Sequence, residues 1–95
     1  MRVAVALYGS ARVVVGQPVV EVTVDTPMMT LGEVLQRLVS RYPRAQPYLL
    51  DEAGRLPFFV RVLINQVRPE PDATLSTVLH DGDQLALLVA VAGGE

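Results

Sequence analysis

The stretch His80-Asp81-Gly82-Asp83-Gln84-Leu85-Ala86-Leu87-Leu88-Val89-Ala90-Val91-Ala92-Gly93-Gly94-Glu95 decides the fold of this 95-residue chain. His80 to Asp83 read as a turn, with two carboxylates set around a glycine. Leu85 to Val91 read as a final β-strand. Leu85, Leu87 and Val89 lie on one of its faces and Ala86, Leu88 and Ala90 on the other. A strand that is apolar on both sides belongs in the middle of a sheet. Beyond it comes a short tail in which Gly93 and Gly94, having no side chains, can pass a channel too narrow for other residues.

Working back from that strand, residues 2–8 alternate, with Val3, Val5 and Leu7 on one face, which predicts a first strand. Val13-Val14-Val15 is β-branched, and Val20, Val22 and Val24 alternate with Glu21, Thr23 and Asp25. Together they predict a second strand with an irregular bend near Gly16. Thr30-Leu31-Gly32-Glu33 is a capping box that opens a helix. Leu31, Val34, Leu35, Leu38, Val39 and Tyr42 form its apolar stripe, and Pro43 closes it. Ala45 to Leu50 fit a short second helix. Phe58 to Ile64 fit a strand, with Val60, Val62 and Ile64 facing one way and Phe59, Arg61 and Leu63 the other. Asn65-Gln66 fit a turn into a short strand at Val67-Arg68, ended by Pro69 and Pro71, and Thr74 to Leu79 fit one helical turn. The order predicts an α+β domain of the β-grasp type: a mixed four- to five-stranded sheet with one main helix packed across it. The expected division is a folded body over residues 1–90 and a tail over 91–95.

Composition removes several classes of function. About half the residues are apolar, which predicts a packed globule rather than a disordered chain. There is no cysteine, hence no disulfide, thiolate metal site or thiol nucleophile, as suits a cytoplasmic protein. No apolar run approaches the length that spans a bilayer, and Gly9-Ser10 interrupts the N-terminal run too early for a signal peptide. The net charge is −2 with scattered basic residues, which argues against nucleic acid as a partner. All eight basic residues are arginine, so the chain offers no ε-amine for an isopeptide bond. His80 reads as a turn residue rather than a ligand or base. Asp81-Gly82-Asp83 lacks calcium-loop spacing, and Tyr8, Tyr42 and Tyr48 read as core or rim packing. No nucleophile–base pair or metal cluster is apparent, so neither catalytic residues nor a cofactor are expected.

Taken in order and spacing, Thr30-Leu31-Gly32-Glu33-Val34-Leu35, Tyr42-Pro43, Val62-Leu63-Ile64-Asn65, Asp81-Gly82-Asp83-Gln84-Leu85-Ala86-Leu87-Leu88 and Val91-Ala92-Gly93-Gly94 resemble the ubiquitin-like sulfur carriers of the MoaD/ThiS family over nearly the whole chain. Asp51 to Val60 and Ala90 to Gly94 look most like the variant that serves cysteine biosynthesis and its MoaD-like neighbours. The chain departs from the family pattern in having Val89 and Ala90 where prolines are frequent, and in having Glu95 after the second glycine.

The resemblance implies a carrier, not an enzyme. A terminal carboxylate, with a pKa of roughly 3.5, would attack the α-phosphate of ATP on an E1-like adenylating enzyme of the MoeB/ThiF type. The resulting acyl-adenylate at Gly94 would become a thiocarboxylate. Its sulfur would pass to an acceptor enzyme such as the large subunit of molybdopterin synthase or a cysteine synthase. Five or six extended residues reach on the order of 16–20 Å, enough for Val91, Ala92 and Gly93 to thread into a partner. Gly94 is amide-bonded to Glu95, so Glu95 is expected to be removed first, in some relatives a task of a JAMM-type protease. Leu88 is expected either as a partner contact or as a buried residue, with Phe59 and Leu63 as further contact candidates. Two other functions remain open on the residues alone: a modifier joined to lysines of target proteins, and a β-grasp binding module whose tail has no role.

Overall fold

The computed structural model describes residues 1–68 and 75–89. Strand β1 (Arg2–Gly9) starts the fold, and its inward residues Val3, Val5 and Leu7 are fully buried. Strand β2 (Val19–Thr23) pairs antiparallel with it, Val3 facing Val22 and Val5 facing Val20. Strand β3 (Met28–Thr30) leads straight into helix α2 (Leu31–Arg41). A 3₁₀ turn (Pro43–Ala45), helix α3 (Gln46–Leu49), strand β4 (Val60–Ile64), strand β5 (Val78–His80) and strand β6 (Gln84–Val89) follow. Helix α1 (Ser10–Val15) joins β1 to β2.

The order in the main sheet is β2-β1-β6-β4, and β3 and β5 form a separate two-stranded ribbon. As its two-sided apolar pattern predicts, β6 is central. It runs parallel to β1 and antiparallel to β4, with Leu85 and Leu87 buried toward the helix. This is the predicted α+β architecture, with α2 across one face of a mixed sheet.

Helix α2 starts where the capping box places it. The Glu33 N–H donates to Thr30 Oγ1 at 3.2 Å and the Thr30 N–H donates back to Glu33 Oε1 at 3.0 Å. Leu31, Val34, Leu35 and Leu38 are buried. Each contributes about 1.5–3 kcal/mol relative to exposure. Tyr42 caps the end, its N–H donating to the Leu38 carbonyl, and Pro43 prevents continuation.

Four expectations need correction. Val13-Val14-Val15 is helical, not the start of the second strand. Ala11 is fully buried, Val14 and Val15 pack on the core, and Val13 is 81% exposed. That is helical spacing, and it outweighs the weak strand preference of valine. Gly16 ends α1 at φ 83°, its N–H donating to the Arg12 carbonyl, a left-handed cap that glycine adopts without strain. Second, Val78-Leu79-His80 is a strand rather than part of a helical turn. It pairs with Met28-Met29-Thr30, of which the sequence places only Thr30, as the helix cap, and both Leu79 and Met29 are buried. Thr74 lies outside the described residues. His80 therefore ends a strand, its N–H held by Asp83 Oδ2 at 2.7 Å. Third, Phe58 and Phe59 precede β4 rather than opening it, because the Val60 N–H closes a turn onto the Pro57 carbonyl. Fourth, at the other end of β4, Asn65 and Gln66 turn at positive φ, and Val67 makes one bridge back to Ile64 in place of a full strand.

Candidate functional site

Strand β6, which precedes the tail in sequence, ends at Val89. Val89 is flanked there by Gly9 of β1 and Val60 of β4. Gly9 has φ 74° and ψ −141°, a region open almost only to glycine. A Cβ at Gly9 would lie 1.8 Å from the Val89 carbonyl oxygen. The root of the tail is thus clasped between two strands, one of which approaches as closely as only a glycine permits. Val91, Ala92, Gly93, Gly94 and Glu95, the residues to which the sequence assigns threading, attachment and processing, lie outside the described residues.

The sheet has two unlike faces. The inner face carries the valines and leucines under α2. On the outer face, Leu88 stands opposite Tyr8 on one side and Arg61 on the other, and Leu63 stands opposite Ala86. Leu63 and Leu88 are therefore diagonal neighbours, close enough for long side chains to meet. Both are half-buried, so Leu88 lies on the face away from the core. Ala4, Ala6 and Ala86 supply a floor of small residues, Val19 flanks it opposite Ala6, and Tyr8 is 47% exposed. Phe59 is placed differently. It is half-buried, packs against the core, and meets Phe58 edge-to-face with centroids 5.4 Å apart. Phe58 itself is 98% exposed and lies near the tail root.

Tyr8 belongs to this surface, whereas its sequence suggested only core or rim packing. The signal was available in part: with Val3, Val5 and Leu7 inward, Tyr8 must face outward. Its proximity to Leu88 depends on the parallel β1–β6 pairing, which no local pattern encodes.

The remaining polar residues hold the opposite end of the sheet. Asp83 Oδ1 accepts from Asn65 Nδ2 at 3.0 Å, Asp81 Oδ1 accepts from the Arg2 N–H at 2.7 Å, and Asn65 Oδ1 accepts from the Gln84 N–H at 2.9 Å. These carboxylates do turn chemistry at the start of β6, at the opposite end of the strand from Val89. Among the described residues no polar or charged side chain is buried and no cluster of three or more His, Cys, Asp or Glu could hold a metal ion. Hydrogen bonds from Thr30, its backbone N–H foremost, hold the Glu33 carboxyl below its ordinary range. The cause is the helix cap.

Residues 5–94 match the model of the ThiS family. The sulfur carrier protein CysO of Mycobacterium tuberculosis is 36% identical over 67 residues, covering 68% of this chain and 72% of CysO. Among solved structures, SAMP1 from Haloferax volcanii superposes with a TM-score of 0.83 at 29% identity, covering 99% of this chain and all of that one. The BexX/CysO complex of Amycolatopsis orientalis matches with a TM-score of 0.77 at 29% identity, covering 97% of this chain and 99% of that one.

Proposed function

The chain belongs to the ThiS family, and on that premise we propose that it is a sulfur carrier whose activated atom is the carboxyl carbon of Gly94. The observation that carries this reading is the family match running through the central strand to Gly94. The chain is a small ubiquitin-like carrier rather than a catalyst, as its curated relatives are named. The chemistry follows from the tail. The Gly94 carboxylate attacks the α-phosphate of ATP on an E1-like adenylating enzyme, and pyrophosphate leaves. A sulfide sulfur then displaces AMP from the acyl carbon, leaving a thiocarboxylate. Its sulfur is the nucleophile handed to an acceptor enzyme in cysteine or molybdopterin biosynthesis.

The body supplies position. Its outer face, with Leu63, Leu88 and Tyr8, docks on the partner, and Phe59 with Phe58 adds an aromatic contact beside the tail root. In this reading residues 91–95 are the tail beyond a folded body of residues 1–90, and residues 91–94 thread into the partner once Glu95 is removed. Gly94 is followed by Glu95, so a hydrolytic step, of the JAMM-protease kind, precedes activation. No helix among the described residues is long and apolar enough to cross a membrane; the cytoplasmic location is part of the proposal and is supported by the ATP that the activation step consumes.

Intact-mass analysis tests the reading. Chain ending at Gly94, incubated with an adenylating enzyme, ATP and sulfide, gains the mass of one oxygen-to-sulfur exchange. Chain retaining Glu95 gains nothing. A sulfur-exchanged product that still carries Glu95 would refute the assignment to Gly94. The likeness to SAMP1, named as a small archaeal modifier protein, favours a second reading in which Gly94 is joined to lysines of other proteins. Gly94 remnants on target lysines, without a thiocarboxylate, would establish that reading instead.

A further inference from the structure

Strand β2 is an edge of the four-stranded sheet. The Leu7 N–H donates to the Pro18 carbonyl and the Val24 N–H to the Met1 carbonyl. With the observed register, Val20 and Val22 turn their backbone groups toward β1, and Val19, Glu21 and Thr23 turn theirs outward. Such an edge is a template for another strand. Beside it, toward α2, lies a groove of about 260 Å³ lined by Val22, Thr23, Arg37, Leu38, Ser40 and Arg41. Arg37 and Arg41 are one helical turn apart and share a side of α2. Arg41 Nη1 donates to the outward carbonyl of Glu21 at 3.1 Å.

We propose that this edge docks an extended acidic segment of a partner protein, added as a further strand along β2, and that Arg41 selects for its acidity. An incoming strand gives its own N–H to the Glu21 carbonyl and so competes with Arg41 for the outward side of that oxygen. A neutral strand leaves that guanidinium only its place over the Tyr42 ring, 5.5 Å from the centroid. An acidic strand offers it a carboxylate, and a charge-assisted hydrogen bond is roughly twice as strong as a neutral one. Of the carboxylates nearby, Glu21 turns to the outer face, 3.8 Å from Arg2 Nε, and Glu33 accepts its hydrogen bonds from the Thr30 cap while feeling the charge of Arg37 one turn on, so the selection falls on Arg41. A second copy of this chain is disfavoured, because its own β2 edge brings a second Arg37 and Arg41. Nucleic acid lacks the alternating N–H and carbonyl groups that the edge requires. The site shares Val19 with the margin of the outer face but lies on the opposite side of β1 from Leu63 and Leu88, so a partner held here leaves those residues and the end of β6 free.

Amide-resolved NMR of the ¹⁵N-labelled full chain tests this. The probes are blocked peptides of alternating Val-Asp, Val-Ser and Val-Lys, and inorganic phosphate. The Val-Asp peptide is expected to shift the amides of Val19, Glu21, Thr23, Arg37 and Arg41. The R37E/R41E variant is expected to weaken its binding by roughly tenfold or more, given two lost charge-assisted contacts. The R41A variant is expected to bind the Val-Ser peptide better than the parent does, a gain that general loss of structure could not produce. Unchanged Leu35 and Leu87 amides show that both variants are folded. The proposal is overturned if the Val-Asp peptide shifts only the Leu63 and Leu88 face or no residue, or if the Val-Lys peptide binds equally. It is also overturned if phosphate reproduces the Arg37 and Arg41 shifts while no peptide moves the edge amides. None of these outcomes depends on the sulfur-carrier reading.

Discussion

Replacing Gly9 with alanine tests the clasp around the tail root. Two costs add. The backbone at φ 74°, ψ −141° costs a non-glycine residue about 1–3 kcal/mol. The new Cβ would also sit 1.8 Å from the Val89 carbonyl oxygen. That is backbone against backbone, so the end of β6 must move away from β1, and the loss of one ladder hydrogen bond adds about 0.5–1.5 kcal/mol. The expected destabilisation is about 3 kcal/mol, a large share of the roughly 5–15 kcal/mol by which a domain is stable. Gly16→Ala is the control: its φ is 83°, yet a Cβ there meets nothing within 4 Å, so it bears only the conformational cost of about 1–2 kcal/mol. Urea unfolding followed by far-UV circular dichroism measures both. Gly9→Ala is expected to be worse by about 1–2 kcal/mol, the difference being the close approach to Val89. If the two variants agree within about 0.5 kcal/mol, the size of an ordinary surface substitution, the clasp contributes nothing beyond backbone preference and the reasoning fails.

Leu88→Asp and Leu63→Asp are expected to leave the domain folded, because both side chains face away from the core, and to reduce thiocarboxylate formation by about tenfold or more, as the loss of a contact hot spot does; Leu87→Asp, on the buried face, is expected to unfold it. Thr30→Ala removes the side-chain half of the helix cap and is expected to cost about 1 kcal/mol in a urea titration. The Glu33 carboxyl is held below its ordinary 4.5, so the folded state favours the carboxylate. That contribution is fully present above the ordinary value and is lost as pH falls through the lowered one. Acid titration of stability is therefore expected to show a loss below about pH 4.5 that Glu33→Gln, which keeps the cap without titrating, lacks. Gly93→Ala is expected to slow sulfur loading measured by intact mass while leaving the unfolding midpoint unchanged.

Much of the architecture was legible because it rests on local rules. The capping box at Thr30 and Glu33 and the 3–4 spacing of Leu31, Val34, Leu35 and Leu38 specify α2 without reference to the rest of the chain. The two-sided apolar pattern of Leu85 to Val89 specifies a central strand. Where reading failed, local preference and tertiary demand disagreed. Val13 to Val15 carry strand-prone side chains but follow Gly9, whose unusual backbone turns the chain so that Ala11, Val14 and Val15 cover the core as a helix. Met28 to Thr30 and Val78 to His80 are each only three residues long, too short to show a period, and each is a strand only because the other is beside it.

The candidate site divides in the same way. The sequence alone showed the diglycine ending and the central strand before it, since these depend on residue type and order along the chain, and the resemblance carried by those residues supplied the expectation of acyl chemistry at Gly94. The sequence put Leu88 on the face opposite Leu87 and Leu63 on the face opposite Val62, which follows from a period of two, but left open whether Leu88 is a contact or buried. Only the tertiary structure decided that Tyr8 joins them, that Phe59 leans on the core instead, that Gly9 grips the end of β6, and that Arg41 crosses to the edge of β2. Each of these is set by pairing between strands or by a helix lying across them. Such contacts join residues far apart in the chain, and their register is chosen by the packing of the whole core rather than by any segment within it.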